Sequence, residues 1–184
     1  VGMINMFLYI IVGVFISGMM VGRTPEYLSR KVETREMKLA ALAILVHPLL
    51  ILGGTALFAA TSWGASTVNN PGFHGFSEIL YEFSSAAANN GSGFEGLGDN
   101  TVPWNVSTGI VMLLARFIPI ILPFSIAGSL AAKKPTPETN GTLRTDTLMF
   151  GVVILGSVVF IGALLFLPVA VLGPIAEYLA VSRG

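Results

Sequence analysis

Four long apolar runs divide the chain, at residues 4–21, 39–60, 105–130 and 148–171. A membrane-spanning α-helix needs about 20 predominantly apolar residues, and each run is close to that length or longer. Small residues in the first run, Gly13, Ser17 and Gly18, are suited to close packing against another helix. The pattern therefore predicts an all-α polytopic membrane protein with four spans.

A shorter stretch, residues 71–99, lies between the second and third spans. Its helical part, residues 77–88, is too short to cross a bilayer, because a helix rises only ~1.5 Å per residue. Residues 89–93, NNGSG, then turn the chain back, and glycine there permits positive φ angles. The stretch is predicted to be a half-helix that enters the membrane and returns as a loop.

These elements predict a potassium-channel-like repeat of span, re-entrant pore loop and span, with flanking transmembrane helices. The repeat covers residues 39–130. Residues 1–38 are expected to hold the first span and a polar loop. Residues 131–147 are expected to form a second polar loop, and residues 148–184 the last transmembrane helix with a polar tail from Glu177 onwards.

Local signals refine the segments between and within the spans. Thr24 is suited to cap a helix with Pro25 at its first position and Glu26 beside the positive end of the dipole, which predicts a short surface helix. Pro48 is expected to bend the second span, because proline removes a backbone hydrogen bond. The last span is expected to loosen near its end, at Pro168, Gly173 and Pro174.

Composition agrees with a membrane protein. The chain has 184 residues, of which 53% are hydrophobic and 11% charged, whereas soluble domains carry about 25% charged residues. The net charge is zero, so no attraction to nucleic acid is expected, and the absence of cysteine excludes disulfides and thiol catalysis. No signal peptide is predicted, because the chain opens on Val1 without a charged region before its first apolar run.

Positive charges predict the orientation. Lysine and arginine concentrate in two loops, residues 22–38 and 131–147, whereas residues 61–104 contain neither. Both basic loops are therefore expected on the cytoplasmic side of the membrane, with residues 61–104 and the C-terminus outside, although Arg183 departs mildly from this rule. Acidic residues of the re-entrant stretch would then enrich cations at its outer mouth: Glu78, Glu82, Glu95 and Asp99.

The turn at residues 89–93 has the features of a cation site. Backbone carbonyls held in unusual directions can replace the water shell of a monovalent cation. The half-helix ends just before the turn, so its partially negative end favours a cation at the same point. The alternative is an ordinary extracellular turn, since Asn and Gly are common in turns. The apolar run FSSAAA that leads into the turn favours a buried half-helix and potassium selection.

Two polar residues lie within predicted spans. Arg116 is about eleven residues into the third span, near the middle of the membrane, where arginine usually faces a cavity or a partner and marks an ion path. The alternative is a structural pair with a buried acid. His47 precedes Pro48 in an apolar span and is interpreted as a packed histidine bonded to the backbone, with a proton relay as the alternative.

No catalytic motif or resident cofactor is expected. A phosphate-binding G-x-x-x-x-G-K-[ST] loop, a G-x-S-x-G elbow and an H-E-x-x-H pair are all missing from the sequence. His74 has no Cys or second His at ligand spacing, so no metal site is predicted there. The basic residues between Arg23 and Lys38 are interpreted as the positive-inside anchor of two spans, with docking of a cytoplasmic partner as the alternative.

Five motifs resemble the potassium-transporting ATPase A-subunit family (KdpA). They are GRTPEYL at 22–28, REMKLAALAILVHP at 35–48, NPGFHGFSEILYEFSSAAANNGSGFEGL at 70–97, ARF at 115–117 and LGPIAEYL at 172–179. The resemblance covers essentially the whole chain, which resembles the C-terminal third of that family. The chain departs from the family pattern at Ala115, where glycine is common, and at Glu95, where a small residue is usual.

The resemblance implies a member of the potassium transporter superfamily with four span, pore loop, span repeats in one polypeptide. It implies that residues 4–21 close the third repeat and that residues 39–130 form the fourth. Potassium, the transported ion and the only metal expected, would bind to backbone carbonyls of four loops, here those of Asn89, Asn90, Gly91 and Ser92, with Gly91 and Gly93 setting the geometry. Arg116 would lie beneath this filter and oppose leakage of the ion.

The resemblance also implies partners. They are the three further pore loops of the same subunit, a catalytic P-type ATPase subunit that receives the ion, accessory single-span subunits resembling KdpC and KdpF, and the lipid membrane. This chain would be a non-catalytic subunit. One alternative is a channel-like potassium transporter of the Trk or Ktr type, and a second is a membrane scaffold without an ion path.

Overall fold

The computed structural model describes residues 2–20, 22, 24–137 and 144–182, without the side chains of six residues between 165 and 172. Arg23, the final residue of the predicted first span, residues 138–143 of the second predicted loop and Arg183 lie outside the described residues. Helices dominate the described chain, as the sequence predicts. Its two strands have two residues each and form one antiparallel hairpin.

The long helices match the predicted spans to within a few residues. They are α1 (Gly2–Met20), α2 (Thr34–Ala60), α5 (Val102–Ala132) and α6 (Leu148–Ala170). Three of them, α1, α2 and α5, are long and apolar enough to cross a membrane, and the described apolar part of α6 covers Leu148–Leu164. Short helices complete the list: α3 (Ser62–Ala65), α4 (Gly72–Ala88), a π-helical turn (Val171–Ile175) and α7 (Ala176–Ser182).

The chain divides into two compact units. The first comprises residues 1–45 and 118–163, and the second residues 46–117 and 164–184. In the first unit, α1 approaches α6 closely, because a Cβ added at Gly13 would lie 2.7 Å from Ser157 Oγ. A Cβ at Gly18 would lie 2.9 Å from Pro25 Cγ. These contacts agree with the close packing that the small residues of the first span predict.

The predicted surface helix after Thr24 is wrong. Strand β1 (Glu26–Tyr27) instead pairs antiparallel with β2 (Arg30–Lys31), and Leu28 and Ser29 between them both have positive φ angles, as a tight hairpin turn requires. Tertiary contacts explain the difference, because an isolated helix this short is marginal. Arg30 donates to the carbonyl of Ala131 over 3.2 Å, and Lys133 donates to the carbonyl of Lys31 over 2.9 Å.

An ion-pair cluster joins the two basic loops at one end of the first unit. Lys133 Nζ lies 2.8 Å from carboxylate oxygens of both Glu33 and Glu36, and Ser129 also donates to Glu36, which is fully buried. Burial alone would lower the pKa of Lys133, but its hydrogen bonds to the two glutamates raise it. The contacts bring residues of the two loops together at one end of this unit. Their cytoplasmic location remains a prediction.

The second unit is built around α4 and an aromatic cluster. The ring centroids of Phe58, Phe83 and Trp104 lie 4.3 to 5.3 Å apart, and all three side chains are almost fully buried. The indole of Trp104 donates to Thr67 Oγ1 over 3.0 Å, so its polar group is satisfied. The cluster packs α4 against residues of α2 and α5.

Helix α4 begins five residues before the predicted half-helix start at Ser77. Pro71 is extended and precedes the first turn, whereas Ser77 bonds to the carbonyl of Phe73 inside the helix instead of capping it. At 17 residues α4 remains shorter than a full span of about 20. The half-helix prediction therefore holds for length, with a corrected start.

The predicted polar tail from Glu177 is also wrong, because residues 176–182 form α7. The predicted loosening near Pro174 takes the form of the π-helical turn, in which proline supplies no N–H. A Cβ added at Gly173 would lie 3.2 Å from a methyl group of Leu80, so this turn packs directly on α4.

Substitution of Gly54 tests how closely α4 packs against α2. A Cβ at Gly54 would lie 2.4 Å from the ring of Phe83, which the aromatic cluster holds in place. Overpacking of this kind destabilises a core by about 1–3 kcal/mol. We expect Gly54→Ala to lower the thermal unfolding temperature of the full-length subunit, whereas Gly53→Ala, with nothing within 4 Å of its added Cβ, should not. Equal unfolding temperatures for the two variants would contradict this packing.

Candidate ion-binding site

Helix α4 ends in a left-handed turn that leads into the predicted site. Asn89 has φ 58° and ψ 31°, and its N–H bonds to the carbonyl of Ala86 over 3.1 Å. The N–H of Asn90 bonds to the carbonyl of Ser85 over 3.3 Å. Gly91 has a φ of +74°, as predicted for glycine in this turn. Asn89 and Gly91 are therefore both left-handed, with Asn90 between them. This backbone directs successive carbonyls in ways that a helix or strand does not allow.

The loop presents an open surface. Asn90, Gly91, Ser92 and Gly93 are exposed, and Asn89 is half-buried. A Cβ added at Gly91 would meet nothing within 4 Å. Gly93 does not share the positive φ of Gly91, and its added Cβ would lie 3.4 Å from Glu82 Oε2. The five predicted site residues thus lie together in one loop with space in front of it.

Two side chains of α4 hold the loop, and sequence reasoning missed both. The buried hydroxyl of Ser85 lies 2.6 Å from Asn90 Oδ1 and also bonds to the carbonyl of Ser92. The hydroxyl of Tyr81 lies 2.9 Å from Ser92 Oγ. Tyr81 and Ser85 are four residues apart and so share one helix face. That spacing, just before the NNGSG turn, is the signal that would have found them.

The acidic residues of this stretch have different environments, so the predicted acidic mouth needs one correction. Glu78 is fully buried and accepts hydrogen bonds from Asn69 N and Asn70 Nδ2, both over 2.8 Å. Such a carboxylate fastens the segment before α4 and does not enrich cations at a mouth. Glu95 is exposed, as that role requires.

Glu82 and Asp99 both lie close to Gly93, because a Cβ added there would lie 3.4 Å from Glu82 Oε2 and 3.6 Å from Asp99 Oδ2. Within the described chain, Glu82 Oε2 is buried without a hydrogen-bond partner. Burial raises the pKa of Glu82, and the nearby charge of Asp99 raises it further. The carboxyl group of Glu82 at the end of the loop is therefore harder to ionise than an exposed glutamate.

Arg116 lies near the middle of α5 and contacts the loop directly. Its Nε donates to Asn89 Oδ1 over 3.1 Å. The amide nitrogen of Asn89 in turn bonds to the carbonyl of Ala87. The partner in the described chain is a neutral amide, so this contact does not neutralise the charge of Arg116, which lies beside the partially negative end of α4. Sequence reasoning weighed a buried acid as partner and did not consider Asn89.

His47 lies beside the same end of α4. Its side chain is partly buried and interacts with the backbone of Ala87. This agrees with the interpretation of His47 as a packed histidine bonded to the backbone.

These elements define an α-helical membrane protein in which a half-helix and a glycine-bearing loop lie between two helices long enough to span a bilayer. The sequence profile of the family described as "KdpA: Potassium-transporting ATPase A subunit" matches residues 1–179. The chain belongs to the potassium-transporting ATPase A-subunit family.

Three curated relatives carry the name "Potassium-transporting ATPase potassium-binding subunit". The protein of Geobacillus kaustophilus is 57% identical over 181 residues, which is 98% of this chain and 32% of the relative. The proteins of Flavobacterium psychrophilum and Flavobacterium johnsoniae are 57% and 55% identical, over 98% of this chain and 34% of each relative. The chain spans about a third of the length of these relatives.

Proposed function

We propose that this chain carries the fourth pore loop of the potassium-binding and translocating subunit of an ATP-driven potassium importer. The observation that carries the proposal is the loop after α4, where Asn89 and Gly91 both have positive φ angles at the negative end of a helix. Backbone carbonyls of Asn89, Asn90, Gly91 and Ser92 would provide one quarter of the potassium site. The family relationship supports potassium as the ion.

The remaining three quarters would come from other pore loops of the full-length subunit. Open space in front of Gly91 supports this arrangement, because a ring of four loops needs room at its axis. The chain itself would be non-catalytic and would pass the ion to a P-type ATPase subunit, with accessory single-span subunits in the complex. Loops 22–38 and 131–147 would face the cytoplasm of a bacterial inner membrane.

Co-purification tests the assembly. The full-length subunit, tagged and isolated from its native membrane in mild detergent, is expected to bring with it a membrane ATPase that forms an aspartyl-phosphate with ATP. Its phosphorylation is expected to depend on potassium. Isolation of the subunit with only a soluble nucleotide-binding ring would contradict the proposal and support a Trk or Ktr-type transporter.

Replacement of Ser85 tests whether its hydroxyl holds the loop for ion binding. A hydrogen bond of this kind contributes about 1 kcal/mol, so Ser85→Ala is expected to weaken the apparent potassium affinity of the complete transporter about fivefold. Ser84→Ala is the matched control, because among the described residues the Ser84 hydroxyl bonds to the carbonyl of Leu80 in its own helix and to no residue of the loop. The measurement is ATPase activity against potassium concentration. Equal potassium affinity in Ser85→Ala and Ser84→Ala would show that the Ser85 hydroxyl does not hold the loop for ion binding.

A further inference from the structure

Helix α7 and the π-helical turn before it are fastened to the first turns of α4. His74 Nδ1 forms a short hydrogen bond with Glu177 Oε1 of α7, and Ser77 Oγ donates to Glu177 Oε2 over 3.3 Å. Gly173 adds a backbone contact, since its added Cβ would lie 3.4 Å from Ser77 Oγ. Helix α7 therefore contacts α4 through the carboxylate of Glu177, which bonds to the imidazole of His74 and the hydroxyl of Ser77.

The second nitrogen of His74 faces another carboxylate. His74 Nε2 lies 3.9 Å from Glu78 Oε1. Glu78 is fully buried and holds Asn69 and Asn70 of the preceding segment. A protonated His74 can interact with Glu78 and Glu177 together, whereas a neutral imidazole has only one N–H.

A chain of contacts connects His74 with the ion-binding loop. The ring of Phe94, two residues after Ser92, meets the His74 ring edge to face at a centroid distance of 5.5 Å. Phe94 also meets the ring of Tyr81 at 5.7 Å, and Tyr81 contacts Ser92 through its hydroxyl. The position of His74 is thus coupled to both ends of the loop, through α4 before it and through Phe94 after it.

The charged groups that face His74 favour its protonated form. They are Glu78 from α4 and Glu177 from α7, and the segment after the loop presents only the Phe94 ring. The hydrogen bond to Glu177 raises the pKa of His74 above its ordinary value, against a smaller opposing effect of burial. Because the pKa of His74 is raised in the folded protein, the stabilisation that its contact provides is fully present below the unfolded-state pKa. That stabilisation is lost as pH rises through the folded-state pKa.

We infer that His74 and Glu177 form a protonation-dependent clamp that positions α4 and its loop, so that potassium affinity depends on pH at the outer face. Both are positioning residues, since neither lies in the loop itself. The inference rests on the proposed function, because it assigns these residues to the same potassium site. It gives the last helix of the chain, α7, a part in ion binding.

The test measures the apparent potassium affinity of the complete transporter in proteoliposomes, with external pH varied from about 5.5 to 8.5. For the wild type we expect affinity to weaken about two- to fivefold as His74 loses its proton, the range typical of exposed ion pairs. His74→Gln and Glu177→Gln should each show the weaker affinity at all pH values. His74→Lys retains a cation throughout the range, so it should keep the tighter affinity and lose the pH dependence.

Tyr178→Phe is the matched control for a change in α7, because Tyr178 is the neighbour of Glu177 and its side chain is exposed. It should follow the wild-type pH profile. A wild-type profile in both Glu177→Gln and His74→Lys would overturn the clamp, even if His74→Gln fails to assemble. Gly91→Asp in the same assay separates the two claims: an unchanged affinity there would reject the proposed function, whereas a loss there with unchanged clamp variants would reject only the clamp.

Discussion

Gly91→Asp is expected to weaken the potassium affinity of the complete transporter by at least about tenfold, equivalent to about 1.4 kcal/mol, and to reduce discrimination against sodium. Gly91 has a φ of +74° and open space around its added Cβ. Aspartate tolerates left-handed backbone better than most residues, so strain is not the main cause of the loss. The main cause is the carboxylate itself, which would enter the space where carbonyls are proposed to surround the ion.

Gly72→Asp is the matched control for this substitution. Gly72 also has a positive φ, +68°, and nothing within 4 Å of its added Cβ, but it lies at the other end of α4. The two variants therefore share backbone strain and added charge and differ in location. Growth at limiting potassium and the potassium dependence of ATPase activity are the measurements. If both variants behave alike, Gly91 has no special part in ion binding and a scaffold role gains support.

Arg116→Met is expected to produce potassium leak and to uncouple ATP hydrolysis from transport. A fixed positive charge about 6 Å from a passing cation opposes it by about 3 kcal/mol at an effective dielectric constant of 20, which slows passage about a hundredfold. Removal of the charge removes this barrier. Passive rubidium flux through proteoliposomes without ATP measures the leak, and the ratio of transported ions to hydrolysed ATP measures coupling.

Asn89→Gly separates the charge of Arg116 from its hydrogen bond. Glycine suits the left-handed C-cap and keeps the backbone carbonyl, but it removes the amide that Arg116 contacts. If the charge forms the barrier, Asn89→Gly should remain coupled while Arg116→Met leaks. Leak in both variants to the same degree would show that Arg116 acts through the position of Asn89. Full coupling in Arg116→Met would exclude a barrier role altogether.

Hydrophobic runs were sufficient to predict the long helices, because helices that face lipid must be apolar along their whole length. The two elements that the sequence mispredicted are short and depend on tertiary contacts. Thr24, Pro25 and Glu26 carry a valid helix-start signal, yet Arg30 and Lys133 bond across to distant backbone and favour the hairpin. The sequence from Glu177 onwards predicts a polar tail, yet residues 176–182 form α7 and Glu177 contacts α4.

In the candidate site, too, local features were predictable from the sequence and tertiary contacts were not. The left-handed Gly91 follows from local chemistry, since glycine adopts positive φ without strain. Folding determines the partners of the other polar groups, which are the hydroxyls of Ser85 and Tyr81 and the amide of Asn89. The sequence alone does not show which of these groups come into contact. Glu78 illustrates the opposite error, because the glutamate predicted to enrich cations at a mouth is buried and accepts hydrogen bonds from Asn69 and Asn70.

The most direct test of the proposed ion site is an anomalous diffraction map of the complete transporter crystallised with thallium(I) in place of potassium. We expect a peak within coordination distance of backbone carbonyl oxygens between Asn89 and Ser92, together with carbonyls from other pore loops, and its loss when excess potassium is added back. A thallium peak elsewhere in the protein, with these carbonyls directed away from any ion, would contradict the account.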